Sequence, residues 1–151
     1  MSNNKLYPLE NSAVQGYLSM LQGIINRMAG NSASCKTWTV TLVTALLVLV
    51  LEKDIQLPNP YLCLIPIALL FLLDCYYLGL ERITIGIQTD FLSSLSKDPE
   101  MYKNQLYDIS KLGSKKLQMC KTIGAMLSFS IVPFYGLVVV IVLYLTGGFK
   151  L

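Results

Sequence analysis

The chain has 151 residues, of which 54% are hydrophobic and only 14% charged, and its formal net charge is +3. A soluble domain carries about 25% charged residues, and a fold of this size cannot hide so much apolar surface in one core, so the composition points to a bilayer. The chain contains no histidine, which removes the commonest general base, metal ligand and near-neutral titrating group, and with it most hydrolase and metalloenzyme readings. The modest positive charge excludes a histone-like or strongly cationic lytic protein.

The polar start, MSNNKLYPLENS, lacks an apolar core followed by a small-residue cleavage site, so no cleavable signal is expected. From Val14 the apolar residues Tyr17, Leu18, Leu21, Ile24, Ile25 and Met28 follow steps of three and four, with Gln15, Ser19, Gln22 and Asn26 on the other side. The pattern predicts an amphipathic helix capped by Asn11 or Ser12 and ended by Gly30 and Asn31. Such a helix lies in the membrane interface, or under a pore formed by several subunits with its polar side in water.

The first uncharged run, TWTVTLVTALLVLVL from Thr37 to Leu51, follows Lys36 and contains Trp38, a cation and an aromatic suited to an interface. Taken alone it measures about 22 Å at the helical rise, short for a hydrocarbon core of about 30 Å. EKDIQLPNP, with two prolines, reads as a turn, and YLCLIPIALLFLLDCYYLGL, Tyr61 to Leu80, as a second span with Pro66 near its start. The mixed segment from Glu81 to Lys121 predicts an extension of that helix out of the membrane, then a second helix over Pro99–Leu112 started by Asp98, Pro99 and Glu100. Gly113 and Ser114 allow a break, and a third span, Thr122 to about Thr146, is expected to kink at Pro133.

The expected class is therefore an all-α integral membrane protein, with an N-terminal amphipathic helix, three transmembrane helices, and a helical cytoplasmic segment between spans two and three. The corresponding boundaries are 1–36, 37–80, 81–121 and 122–151. Ten of the twelve lysines and arginines fall in the N-terminal and central segments, leaving only Lys53 and Lys150 for the other side. The positive-inside rule then places the N-terminus in the cytoplasm of a bacterial inner membrane and the C-terminus outside.

Asp74 is the one ionisable residue inside an apolar block, and an ionised carboxylate at helix depth costs about 2.5–3.5 kcal/mol on the lenient insertion scales. It shares a helical face with Tyr77, Leu78 and Glu81. Either it is bonded inside the bundle to a tyrosine or cation, or it contributes to a ring of carboxylates in an oligomeric channel. Arg82, Lys111, Lys115, Lys116 and Lys121 form the candidate set for anionic lipid headgroups or a phosphate-bearing ligand. Cys35, Cys63, Cys75 and Cys120 show no close pairing and read as reduced packing residues. No glycine-rich phosphate loop or nucleophile–base pattern is present, so no enzyme activity, metal or cofactor is expected.

Two stretches, IINRMAGNSASCKTWTVTLVTALL from Ile24 and LLDCYYLGLER from Leu72, resemble small bacterial membrane proteins found with nucleotidyltransferases, including the membrane effectors of Hailong anti-phage systems. The resemblance covers about half the chain. It implies a homo-oligomeric channel in antiviral defence whose opening depolarises the infected cell, held or triggered by a nucleotide or oligonucleotide made by the partner enzyme. It would place Asn31, Ser32, Lys36 and Trp38 in the first motif and Asp74, Tyr77, Glu81 and Arg82 in the second. Helix ends, a snorkelling lysine and an interfacial tryptophan account equally for the first. The competing readings are a holin-like permeabiliser and a non-conducting membrane adaptor that recruits a soluble enzyme.

Overall fold

A computed structural model describes residues 11–51, 64–97 and 101–145. The EKDIQLPNP turn, the Asp98–Glu100 cap, Cys63 and the segment after Leu145 lie outside these residues. The described chain is helical without strands, in the order α1 (Ser12–Leu51), α2 (Leu64–Lys97), two short 3-10 helices (Met101–Gln105 and Ser110–Gly113), α3 (Lys115–Met126) and α4 (Val132–Leu145).

Helix α1 opens on Asn11, whose Oδ1 accepts from the Ala13 backbone N–H at 2.9 Å, satisfying one of the free donors of the first turn. The end expected at Gly30 and Asn31 does not occur, and α1 runs on without interruption for 40 residues, about 60 Å. Packing explains the difference. The buried stripe Val14, Tyr17, Leu21 and Ile25 continues beyond the glycine as Ser32, Cys35, Thr39 and Val43. One unbroken contact face therefore outweighs the roughly 1 kcal/mol that a mid-helix glycine costs. Among the described residues, the segment expected as a separate amphipathic helix and the first apolar run form one helix.

Helix α2 agrees with the expected long helix that leaves the apolar zone, spanning 34 residues without a break. It lies antiparallel to α1, since Tyr17 meets Phe91 near one end (ring centroids 4.8 Å, edge-on) while Val43 and Ile67 share a cluster near the other. Two cores result. Val14, Tyr17, Leu21, Ile83, Ile87, Phe91 and Leu95 fill the polar end, and Val43, Ile67, Cys75, Ala125, Ile131, Tyr135 and Val142 fill the apolar end.

Both α1 and α2 contain stretches long and apolar enough to cross a membrane, and only 22% of each such stretch is buried within the protein. The outward residues include Val40, Leu42, Val48, Ile65, Leu69 and Leu72. A helix in a soluble core would be covered on most sides; these present their apolar surface outward.

The helix expected over Pro99–Leu112 is replaced, over its described part, by the two 3-10 segments, with Tyr107 between them in the left-handed region at φ 62°. Asp108 Oδ1 accepts from the Ser110 backbone N–H at 2.9 Å, a local turn that competes with helical hydrogen bonding. The single Thr122–Thr146 helix is likewise corrected. Residues 127–131 separate α3 from α4, and Pro133 sits in the first turn of α4 rather than at a kink. A continuous helix would set the proline ring against the Phe129 carbonyl, whereas the first turn needs no N–H at that position. Helix α4 has 14 residues, about 21 Å.

Candidate functional site

The two cores meet at a polar node on α1, α2 and α4. On α1, Ser32, Cys35, Lys36 and Thr39 lie one helical turn apart, and Asp74 and Cys75 project from α2 toward them. Asp74 is fully buried, at 0% exposure. Its Oδ1 accepts from the Ser32 hydroxyl at 2.5 Å, and its Oδ2 pairs with the Lys36 ammonium at 2.7 Å. The ammonium also donates to Ser32 Oγ at 3.1 Å, closing a three-residue ring. Thr39 donates to the Cys35 carbonyl at 2.8 Å, and the Tyr135 hydroxyl, donating to the Leu70 carbonyl at 3.3 Å, stands beside Thr39 and Asp74. The buried thiols of Cys35 and Cys75 flank the same pair.

Of the alternatives left open for Asp74, the structure displays a bonded carboxylate, with a cation and a serine from the first motif as partners. Ser32 and Lys36 are thereby joined to the second motif, as two stretches 42 residues apart contribute to one site. Asn31 is half-buried beside it on α1 and Trp38 faces outward at 60% exposure. Tyr77 rests on Tyr76, with centroids 5.9 Å apart, and Glu81 is half-buried one turn farther along α2.

The basic candidates do not form one patch. Arg82 reaches across to the end of α3, where its guanidinium donates to the Gly124 carbonyl at 3.2 Å and to Ser128 Oγ at 2.9 Å. The Ser128 N–H, which a continuing helix would aim at Gly124, instead bonds the Ala125 carbonyl, so Arg82 supplies the donor that the helix end withdraws. Lys111 pairs with Asp90 at 2.5 Å on the exposed surface. Lys115, Lys116 and Lys121 are exposed on α3, the first two in its opening turn. That is the unfavourable end of the helix dipole for cations, and an arriving anion would be stabilised there by both.

Sequence reasoning missed Gly79 and Tyr135. A Cβ on Gly79 would lie 2.9 Å from both the backbone nitrogen and Oγ1 of Thr122, so this glycine sets the close approach of α2 and α3. It also missed a cavity of about 330 Å³ at the polar end, lined by Tyr17, Asp90, Gln105, Asp108 and Lys111 among others. The Tyr17 hydroxyl donates to the Asp108 carbonyl at 2.9 Å and ties the connecting segment to α1. The backbone N–H of Ser110 holds the Asp108 carboxyl below the usual carboxylate range, with the Ser110 hydroxyl and Lys111 acting in the same direction. No group of three or more cysteines and carboxylates suited to a metal occurs among the described residues. Comparison with known proteins finds no family model, no curated protein and no solved structure that matches this chain.

Proposed function

We propose that the chain is the protomer of a homo-oligomeric membrane channel or pore-forming effector of bacterial anti-phage defence, controlled by a nucleotide or oligonucleotide. The observation that carries the channel reading is the Lys36–Asp74 pair, enclosed where two outwardly apolar helices pack together. Ionisable groups at membrane depth are expensive and mark ion pathways and relays. In this reading α1 and α2 cross the inner membrane with the polar-end core in the cytoplasm, and the end of α3 together with α4 makes a third crossing.

The nucleotide-controlled part of the reading rests on the sequence resemblance and is supported by Lys115 and Lys116 at the opening turn of α3. The test is ion flux from liposomes containing the purified protein, with and without short oligonucleotides. Flux that changes with the oligonucleotide, and loses that response when Lys115, Lys116 and Lys121 are replaced by glutamine, is the expected outcome; absence of flux under all conditions rejects the channel. A non-conducting adaptor is the second reading. The polar-end core and its cavity favour it, because this surface extends well beyond the apolar stretches and can hold a soluble partner.

A further inference from the structure

The geometry points to a monovalent-cation site within the node, occupied in this state by the protein's own Lys36 ammonium. Two oxygens contact that nitrogen, Asp74 Oδ2 at 2.7 Å and Ser32 Oγ at 3.1 Å, distances at which a potassium-sized ion also meets oxygen. The Tyr135 hydroxyl stands beside the same carboxylate and beside Thr39, whose own hydroxyl donates to the Cys35 carbonyl. Asp74, Thr39, Tyr135 and Ser32 are all 7% exposed or less, so the site is enclosed by protein rather than formed by surface charges. It offers a single negative charge and neutral hydroxyls. A divalent ion requires several carboxylates or retained waters, so the donor set suits a monovalent ion.

The occupant is removable. Lys36 keeps 22% of its side chain exposed and carries its ammonium on a four-carbon stem, so rotation about side-chain bonds withdraws the charge toward a polar boundary without moving α1. Asp74 has no such freedom, being fully buried on a short side chain. Withdrawal leaves a carboxylate in apolar surroundings that must acquire another counter-ion or a proton. Lysine thus serves as a tethered plug. This deepens the proposed function by naming potassium-sized monovalent cations as what the node takes when the plug leaves, and it rests on that reading for its role in conduction.

The experiment reads stability rather than flux, so a failure of the channel reading leaves the site testable. Thermal unfolding of the purified full-length protein is compared in potassium, sodium and choline chloride at equal ionic strength and pH. Wild type should unfold at the same temperature in all three. Lys36→Met should be raised by several degrees in potassium relative to choline, and the double variant Lys36→Met/Asp74→Asn should lose that dependence. Lys36→Gln, which keeps a donor toward Ser32, provides the same comparison should the methionine variant fold poorly. Equal midpoints for both single variants in potassium and choline overturn the site.

Discussion

Asp74 and Lys36 are partners of unequal mobility, and the inequality sets the outcome of removing either. Breaking a buried pair from one side costs about 3–5 kcal/mol when the remaining charge cannot escape. Lys36→Met strands a fully buried carboxylate, whereas Asp74→Asn leaves an ammonium that can move out along its stem and an amide that still accepts from Ser32. We therefore expect Lys36→Met to lower the chemical-denaturation stability clearly more than Asp74→Asn, with the double variant recovering part of the loss. Equal losses would show that Lys36 is as confined as Asp74. In reconstituted protein, Asp74→Asn should preserve assembly while reducing cation preference in reversal-potential measurements if the carboxylate meets the ion path. Gly79→Ala should cost about 1–3 kcal/mol, because the new methyl meets the Thr122 backbone rather than a side chain that can swing aside. A stability unchanged by that substitution would mean that α2 and α3 separate freely. The cost of a charge inside an apolar run was legible in the sequence. Its partner was not, because the register of α1 against α2 depends on three-dimensional packing and no local pattern pairs residue 36 with residue 74.

At the level of elements, legibility followed how local each determinant is. Apolar runs and the long α2 were visible because they depend on composition and continuous patterning. The failed helix end at Gly30 depends on contacts from elsewhere, on the face of α2, and the hydrogen bonding of the break that Pro133 imposes at 127–131 depends on Arg82. That second dependence is testable. Removing the guanidinium with Arg82→Gln leaves the Gly124 carbonyl and Ser128 without their donor, a loss of about 1–3 kcal/mol for hydrogen bonds to a charged group. Amide exchange at residues 124–131 should accelerate while exchange in the middle of α2 stays slow; uniform exchange across both would place the role of Arg82 elsewhere. The connecting segment has its own pH signature. Because the folded carboxyl of Asp108 titrates below its unfolded value, chiefly through the Ser110 N–H, its stabilising effect is present above the unfolded pKa and is lost as pH falls through the folded one. Exchange at Ser110 should thus remain protected through the ordinary carboxylate range and accelerate only below it, while Asp108→Asn should remove that acid-side transition.

At the scale of the whole molecule, the question is whether the α3–α4 arm crosses the bilayer with the α1–α2 hairpin. Helix α4 alone, at about 21 Å, is shorter than a hydrocarbon core of about 30 Å. Yet the arm packs along α2 from Gly79, beside Thr122, to Leu70 and Ile67, which share the Tyr135 and Val142 environment. It therefore covers much of the depth that α2 covers. In the proposed third crossing its interruption would lie at that depth, and Arg82 satisfies the Gly124 carbonyl beside it, as irregular backbone in a membrane requires. The outward residues Leu137, Val140 and Ile141 complete an apolar exterior on α4. Charge argues the same way, since a third crossing leaves ten of twelve basic residues on one side. Under the proposed three-crossing topology, a dual reporter fused after Leu151 should be active in the periplasm, and a fusion within the exposed segment at Ile109 in the cytoplasm. Cytoplasmic activity at both positions would make the arm a re-entrant element that enters and leaves by the same face, and the channel would then have to be built from two crossings per subunit.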